Sequence, residues 1–508
     1  MEECTRFLIG CLPFLLPVQA GVVQGLVAEG SSGLPMSRAM VRLEPLPGNP
    51  VKPMELRSGR SGQFTFPAVA EGLYILSARR EGFVQGTYGQ RRADGFGTPI
   101  TVTQTSTLFA EIRMRRVGSI TGKVLDENGV GLAHVPVVAY KAQLPLRAAA
   151  QATSDDRGIY RIAGIAQGKY WVRSAGVQLE DGTGMLPTFG LITREARNAR
   201  VHDIRVDAET QFANVQPEPG TLTRVEGRIS CDRADNPAVT VTLSSESGSR
   251  STGSDCIIGR FEFDSVAPGG YEILATYNDG SGSAFQEFRV NIPMRAMNLN
   301  IRPLRPVDVE VRTTSGQIMR PEDVKLFGRR DDLSGQGKVV PILLPRPMLA
   351  TGYWEINGYA MTGKYIESIT IGSGRSQQRP EWRAERPAEW HDVFIDAQFA
   401  RLRVTVSDKA AHIGGSVTDK GQPVPGAVIF LWPMADSARR ILGGVRQLVA
   451  DVTGKYDFEG LPAGDYRMLA TFDATEATWE LLEEARAVTV HMEAGGARSE
   501  TLPLWVAP

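Results

Sequence analysis

The sequence is poor in the residues from which metal sites are built. Its 508 residues include only five histidines and four cysteines. None of the histidines is followed three residues later by glutamate, and they are scattered along the chain: His134, His202, His391, His412 and His491. A zinc peptidase site needs such a pair with a further ligand nearby. We therefore expect no metal and no metal cofactor.

Other signatures of chemistry are missing as well. No Gly–x–Ser–x–Gly turn surrounds any serine, and no Gly–x–x–x–x–Gly–Lys–Ser/Thr loop occurs. The net charge is −1, which gives no electrostatic basis for binding nucleic acid or an anionic membrane. No apolar run approaches the length of a membrane-spanning helix. The sequence predicts no enzyme, no cofactor, no nucleic-acid partner and no transmembrane anchor.

The amino terminus has the pattern of an export signal. Residues 7–18 are mostly apolar, Arg6 precedes them, and a Val–Gln–Ala step ends at Ala20. This pattern predicts a signal peptide that is cleaved after Ala20 and a mature chain that is secreted or periplasmic. The alternative is a lipoprotein modified at Cys11, which ends a Leu–Ile–Gly–Cys step. The apolar run before that cysteine is only three residues long, which favours cleavage after Ala20.

Glycine and proline, in contrast, are abundant, with 54 and 31 residues. Part of the glycine recurs in a phrase, Gly–x–aromatic–x–apolar, a short turn segment, then Gly–x–Tyr. Five copies end at the tyrosines Tyr74, Tyr170, Tyr271, Tyr365 and Tyr466. These are spaced by about 100 residues, the usual length of one β-sandwich domain. Each of the five repeats also opens with a segment that has apolar residues at every second position, which predicts a strand with one face on a core.

We therefore predict an all-β protein, a tandem array of five small antiparallel β-sandwich domains. After the signal peptide at 1–20, the predicted sandwiches span 21–116, 117–222, 223–304, 305–408 and 409–508. Each repeat tyrosine is expected to form a tyrosine corner, with a buried ring and a hydroxyl bonded to nearby backbone, as in immunoglobulin-type sandwiches. The best helix pattern is Ala477–Arg486, which places Leu481 and Leu482 on one face.

The fifth repeat carries the most specific residues. It reads Gly415–Ser416–Val417–Thr418–Asp419, then Pro423–Val424–Pro425–Gly426–Ala427, and then the hairpin that leads to Tyr466. It resembles the carboxypeptidase regulatory-like domain, a transthyretin-type β-sandwich. The second repeat matches well, the first and third match in part, and the fourth is degenerate. The resemblance implies a carbohydrate-binding-like fold, which favours a carbohydrate ligand. It implies no peptidase activity, because that belongs to a separate zinc domain.

Two tryptophans are candidates for ligand contact. Trp382 and Trp390 lie in a charged segment without strand alternation, so we expect it at the surface. Their indoles could stack on sugars or hold a protein partner, or they could fold back onto the fourth domain as loop anchors. Tyr88 and Phe96 form a weaker candidate pair, with ordinary packing in a long hairpin as the alternative. Three other tryptophans lie in strand patterns and are expected in cores: Trp171, Trp354 and Trp432.

Two cysteines remain after removal of the signal peptide. Cys231 ends the opening strand of the third repeat, and Cys256 is expected in a strand with Ile257 and Ile258. An oxidising compartment would allow them to form a disulfide, and the alternative is two unpaired buried thiols.

The leading functional hypothesis is a non-catalytic, exported, multi-domain binding or scaffold protein, with carbohydrate as the favoured ligand. The alternative is a structural or adhesive spacer of the cell envelope that makes protein–protein contacts. An enzyme with an unrecognised site is a remote third possibility. The expected partner is a polysaccharide or an envelope protein, and the chain is expected to be monomeric.

Overall fold

The computed structural model shows an almost entirely β-stranded protein. It describes residues 20–92, 95–143, 146–180, 182–191, 193–246, 248–290, 296–304, 306–333, 337–360, 363–371, 390–396 and 401–507. These residues hold 39 strands and two short α-helices. Within these ranges no helix is long and apolar enough to cross a membrane. The predicted signal peptide, apart from Ala20, lies outside the described residues.

The strands form five sandwiches, which confirms the predicted fold class. They are divided between two compact units. Unit 1 holds sandwich 1. Unit 2 holds sandwiches 2 to 5, together with the segments Glu81–Val84 and Gln90–Phe96.

Sandwich 1 is built from eight strands. They are β1 Gly21–Glu29, β2 Met40–Pro45, β3 Met54–Arg57, β4 Gln63–Val69, β5 Gly72–Arg79, β6 Gly86–Thr87, β7 Ile100–Val102 and β8 Thr107–Met114. One sheet has the order β4-β1-β8, and the other is built around β2 and β5. Strand β1 runs antiparallel to β4 and parallel to β8. The predicted alternation holds in β1, where Val23 and Val27 are fully buried.

Sandwich 2 repeats this plan. Its strands are β9 Gly118–Lys123, β10 Pro136–Lys141, β11 Ala148–Thr153, β12 Ile159–Ile165, β13 Gly168–Ser174, β14 Val177–Gln178, β15 Gly184–Met185, β16 His202–Ile204 and β17 Glu209–Thr210. The sheets are β12-β9-β17 and β11-β10-β13-β16, with β9 and β17 parallel. A single 3-10 turn, Ala196–Asn198, lies between β15 and β16.

Sandwich 3 has seven strands. They are β18 Thr223–Cys231, β19 Ala238–Ser245, β20 Gly248–Asp255, β21 Arg260–Val266, β22 Gly269–Tyr277, β23 Gly282–Val290 and β24 Met297–Pro303. The sets β21-β18-β24 and β20-β19-β22-β23 are joined through a short pairing of β23 with β24. The predicted strand at Cys256 is a turn, because β20 ends at Asp255 and both Ile257 and Ile258 are exposed.

A disulfide joins Cys231 to Cys256 across one end of sandwich 3, with Cα atoms 5.8 Å apart. Cys231 closes β18, and Cys256 lies in the turn between β20 and β21. Both side chains pack against the core of this sandwich. The bond therefore ties the opening strand β18 to the turn that connects the two sets of strands.

Sandwich 4 departs from the plan. Its strands are β25 Asp308–Thr313, β26 Val324–Arg330, β27 Val340–Ile342, β28 Gly352–Ala360, β29 Tyr365–Ile371, β30 His391–Ile395 and β31 Arg401–Ser407, with a 3-10 turn at Pro321–Asp323. The four-stranded sheet is β27-β26-β28-β30, but the other sheet is β25-β31-β29. In sandwich 1 the opening strand lies between two neighbours, whereas the opening strand β25 of sandwich 4 lies at one edge of its sheet. Strand β29 lies at the other edge, beside β31.

Sandwich 5 is the most regular and carries both helices. Its strands are β32 Ala411–Asp419, β33 Gln422–Pro423, β34 Val428–Pro433, β35 Arg446–Val449, β36 Lys455–Leu461, β37 Gly464–Thr471, β38 Val488–Met492 and β39 Ala497–Trp505. Helix α1 spans Asp436–Leu442 and α2 spans Trp479–Glu484. Helix α2 confirms the predicted helix, and Leu481 and Leu482 are buried on its inner face. Helix α1 was not predicted.

Three of the repeat tyrosines return their hydroxyl to the backbone carbonyl four residues earlier. The pairs are Tyr74 to Ala70 at 2.9 Å, Tyr271 to Ala267 at 2.9 Å and Tyr466 to Pro462 at 2.5 Å. Tyr170 occupies the same place in sandwich 2 and is 2% exposed. Tyr74, Tyr271 and Tyr466 therefore each anchor the turn that leads into their own strand.

The predicted corner at Tyr365 is wrong. In sandwich 4 the equivalent donor is Trp354, whose indole Nε1 bonds the Ala350 carbonyl at 2.9 Å. Tyr365 instead begins β29, in the other sheet. The repeat phrase was placed too late here because Tyr353 and Trp354 imitate its aromatic positions.

Candidate functional site

Of the four residues predicted to contact a ligand, the structure describes Trp390, Tyr88 and Phe96. Trp382 lies outside the described residues. Trp390 is half-buried, with its ring 5.2 Å from the ring of Phe327 and under the guanidinium of Arg329 at 4.9 Å. Both partners belong to β26, so Trp390 is placed as a loop anchor on sandwich 4, which was the alternative expectation.

The second candidate pair is also divided. Tyr88 belongs to unit 1 and is half-buried. Phe96 belongs to unit 2, where its amide donates to the Phe472 carbonyl at 2.7 Å. Its ring packs against the cluster between β34 and helix α2 that includes Phe430 and Leu482. Phe96 is therefore a packing residue of sandwich 5 in this structure.

A buried ion pair joins sandwiches 3 and 4. The Arg330 guanidinium, at the end of β26, bonds the Glu272 carboxylate of β22 at 3.2 Å. The two side chains are only 14% and 1% exposed. Removing one partner of such a pair leaves an uncompensated buried charge, which costs about 3–5 kcal/mol. The pair therefore fixes the registry of the two sandwiches.

Aromatic rings extend the same junction. Phe285 of sandwich 3 lies 6.4 Å from the ring of Tyr353 and 6.0 Å from that of Phe394, both in sandwich 4. Arg330 also covers the Phe285 ring at 5.6 Å. A backbone bond from Thr351 to the Ser283 hydroxyl, at 3.4 Å, completes the contact. The junction combines charge, ring packing and a hydrogen bond, as a specific interface does.

Sandwiches 4 and 5 meet through helix α1. The Asn357 side chain donates to the Arg440 carbonyl at 3.2 Å. His391, which is 7% exposed, faces the same region. Burial, helped by the nearby Arg440 charge, lowers the pKa of His391 to about 4. His391 is therefore neutral at physiological pH, and protonating it would place a second positive charge beside Arg440.

Sandwich 5 presents a pair of tryptophans that sequence reasoning did not identify. Trp432 on β34 is half-buried rather than in the core, and its ring lies 6.3 Å from that of Trp479 at the start of α2. Trp479 is 43% exposed. Arg439 and Arg467 lie over the two rings, at 5.7 Å and 5.2 Å. We call these four residues the tryptophan ledge.

The chemistry of the ledge is that of a binding surface. Exposed indole faces stack on sugar rings or on apolar side chains, and arginines beside them donate hydrogen bonds to hydroxyl or carboxylate oxygens. Arg467 is held by Glu483 and Arg439 by Asp436, so both cations are positioned within the protein. The available signal was the tryptophan at the polar start of the predicted helix, beyond its buried leucine face.

In the described ranges no group of three or more histidine, cysteine, aspartate or glutamate side chains is placed to hold a metal.

Comparisons with known proteins give only distant structural likenesses. No protein-family model matches the chain, and no curated protein matches it. Among solved structures, a minor pilin of Streptococcus agalactiae is 12% identical, with a TM-score of 0.26, over 40% of this chain and 97% of the pilin. A streptococcal ancillary pilin is 13% identical, with a TM-score of 0.20, over 56% and 99%. The major pilin subunit of Bacillus cereus is 11% identical, with a TM-score of 0.15, over 76% and 99%.

Proposed function

We propose that the protein is a non-catalytic structural or adhesive scaffold of the cell envelope that works through protein–protein contacts. The observation that supports this most is the buried Arg330–Glu272 pair with its ring of aromatics. A flexible string of binding modules has no need of a desolvated ion pair between neighbours. A scaffold that must hold its surfaces in fixed relation does.

The proposal includes export and assembly. The amino-terminal pattern favours cleavage after Ala20 and delivery to the periplasm or the outside. The Cys231–Cys256 bond is compatible with an oxidising compartment. We propose that the mature chain acts as a monomer, and that its tandem repeats belong to the carboxypeptidase regulatory-like type.

Cross-linking in intact source cells tests this function. The scaffold proposal expects the same envelope proteins to be linked to sandwiches 2–5 in every replicate. An Arg330→Ala variant should lose those links, whereas Arg260→Ala, at an exposed position of β21, should keep them. Links that are unchanged in Arg330→Ala would contradict the proposal, as would turnover of substrate by the purified chain in a hydrolase panel.

Carbohydrate binding is a second candidate function, and the tryptophan ledge favours it. Two adjacent indoles with flanking arginines form the kind of platform on which pyranose rings stack. The test is retention of the purified chain on immobilised polysaccharides. A Trp432→Ala/Trp479→Ala variant should lose retention, whereas Phe109→Ala, which removes an aromatic that is 69% exposed on sandwich 1, should keep it. Loss in a Trp382→Ala/Trp390→Ala variant instead would move the site to the segment that holds those tryptophans.

A further inference from the structure

A cavity lies inside unit 2, and no residue of the tryptophan ledge lines it. It measures about 550 Å³ and is bounded by sandwich 2, by the turn before Tyr271 in sandwich 3, and by Leu333 of sandwich 4. Small-molecule sites have volumes of about 300–1,000 Å³ and occur preferentially at domain interfaces. The cavity has the size and the position of a binding site.

Three arginines line the cavity. Arg173 comes from β13, Arg194 from the loop after β15 and Arg289 from β23. The opposing charges are two exposed carboxylates, Glu195 and Glu246. Glu195 already accepts a bond from Asn198 at 3.1 Å. The balance of charge along the wall is therefore positive.

Two of the three arginines, Arg173 and Arg194, have contacts within the protein, and the side chains of Arg194 and Arg289 are exposed. The Arg173 guanidinium lies over the Phe189 ring at 4.9 Å and is hydrogen-bonded to the Tyr140 side chain. Arg194 donates one bond to the Pro268 carbonyl at 3.1 Å, and a guanidinium carries five N–H donors. Planar guanidinium groups bind carboxylate and sulfate oxygens through paired hydrogen bonds. Arginines from sandwiches 2 and 3 line this one cavity, so an anionic group bound there can accept hydrogen bonds from both sandwiches.

The rest of the wall selects among anions. Besides the charged residues, the lining includes Ser245 and the backbone of Gly269 and Gly270. Such a surface offers hydrogen bonds along the ligand, whereas a fatty acid would need an apolar channel. We propose that this cavity binds an acidic saccharide, whose carboxylate or sulfate group is held by Arg173, Arg194 and Arg289.

A ligand bound in the cavity would also strengthen the contact between sandwiches 2 and 3. The arginines come from sandwiches 2 and 3, so a ligand bridging them adds contacts between the two. Binding only to the packed state raises its stability by mass action. Ligand binding should therefore protect backbone amides on both sides of the cavity from hydrogen exchange.

Isothermal titration of the full mature chain tests the proposal. The probes are a galacturonate trisaccharide, a sulfated heparin-derived tetrasaccharide, neutral maltotriose and inorganic sulfate alone. We expect one of the two acidic saccharides to bind at least ten times more tightly than maltotriose and inorganic sulfate, and its affinity to fall as sodium chloride is raised.

Variants assign the binding to the cavity. Arg194→Ala/Arg289→Ala should weaken it at least tenfold, whereas Arg228→Ala, at an exposed position of β18 outside the cavity, should not change it. Glu246→Gln, which removes an opposing carboxylate, should strengthen binding, an effect that misfolding cannot produce. A Trp432→Ala/Trp479→Ala variant should bind normally. Equal affinity for maltotriose, inorganic sulfate as the tightest binder, or unchanged affinity in the double arginine variant would overturn the proposal.

Discussion

Tyr466 shows at the scale of one residue how each sandwich is held together. Its ring is fully buried, and its hydroxyl bonds the Pro462 carbonyl. Burial also raises the pKa of the phenol, which therefore stays protonated and able to donate. The side chain links the turn before β37 to the core, which explains why the tyrosine recurs at this place in the repeats.

Two substitutions separate the bond from the ring. Tyr466→Phe should lower the free energy of unfolding of sandwich 5 by about 1–2 kcal/mol through the lost hydrogen bond. Tyr466→Ala should cost about 3–5 kcal/mol because it also opens a cavity. Hydrogen exchange on the full chain should show the loss in sandwich 5 first, since that sandwich has a core of its own. Wild-type exchange in Tyr466→Ala would refute the corner assignment.

The buried His391 is expected to make the stability of the protein depend on pH. Its folded pKa of about 4 lies below the ordinary value of 6.5, so the folded state takes up its proton less readily than the unfolded state. The free energy of unfolding is therefore highest above pH 6.5, where His391 is neutral in both states. It falls as the pH is lowered towards 4, and the total loss due to His391 is at most about 3 kcal/mol.

Thermal melts between pH 7.5 and 4.5 check this sign. His391→Asn should lose less stability on acidification than the wild type. His202, whose pKa is also lowered by burial, should retain its own share of the effect. A larger pH dependence in His391→Asn than in the wild type would contradict the assignment.

At the scale of the element, the glycine of the opening strand explains a sequence signature. A methyl group on Gly415 would overlap the Glu500 carbonyl of the parallel strand β39 and would stand 3.0 Å from the Tyr456 hydroxyl. Tyr456, from β36, lies across this glycine and bonds the same Glu500 carbonyl at 2.8 Å. The same close approach to an aromatic ring or its hydroxyl occurs in three other opening strands, at Gly25, Gly122 and Gly227.

An alanine substitution tests the close packing of Gly415 against strand β39. Gly415→Ala should destabilise sandwich 5 by about 3 kcal/mol, because the strand must move away from its parallel neighbour. Gly253→Ala is a matched control, since that strand glycine has open space around its Cβ position. The control should stay within about 0.5 kcal/mol of the wild type. Chemical denaturation of the full chain measures both, and equal stability of the two variants would contradict the argument.

Local geometry decides how much of this fold the sequence predicts. Period-two alternation and the glycine–tyrosine spacing were sufficient for the strands and for the number of sandwiches, because both depend on local geometry. The repeat phrase does not fit sandwich 4, because β29 pairs with β31 rather than with the opening strand β25, and β25 carries Val309 where the other opening strands carry glycine. A strand that moves to the other edge of a sheet leaves no local signal.

The candidate sites were harder to predict for a related reason. Trp432 and Trp479 are 47 residues apart in sequence, and their contact depends on how α2 packs on the sheet. Phe96 packs against residues of another repeat rather than within its own hairpin, which was the alternative to ligand contact. Neither contact could follow from strand periodicity alone.

At the scale of the whole molecule, the central claim concerns unit 2, whose sandwiches are fixed to one another rather than loosely tethered. Linkers are short, and the junction of sandwiches 3 and 4 buries an ion pair among aromatic rings. Interfaces between domains of one chain commonly permit motion unless they are large or specific. The rigidity of unit 2 therefore depends on whether the junction of sandwiches 3 and 4 holds in solution.

Pulsed electron–electron double resonance measures directly how far apart two labelled sandwiches are and how widely that distance varies. Nitroxide labels at Glu226→Cys in β18 and Thr370→Cys in β29 occupy exposed strand positions of sandwiches 3 and 4 in the mature chain, whose Cys231 and Cys256 are joined in the disulfide. The account predicts one narrow distance distribution in the otherwise wild-type chain and a broad one after Arg330→Ala, while Arg260→Ala leaves it narrow. A broad distribution before any change at Arg330 would contradict the claim that these sandwiches form a rigid scaffold.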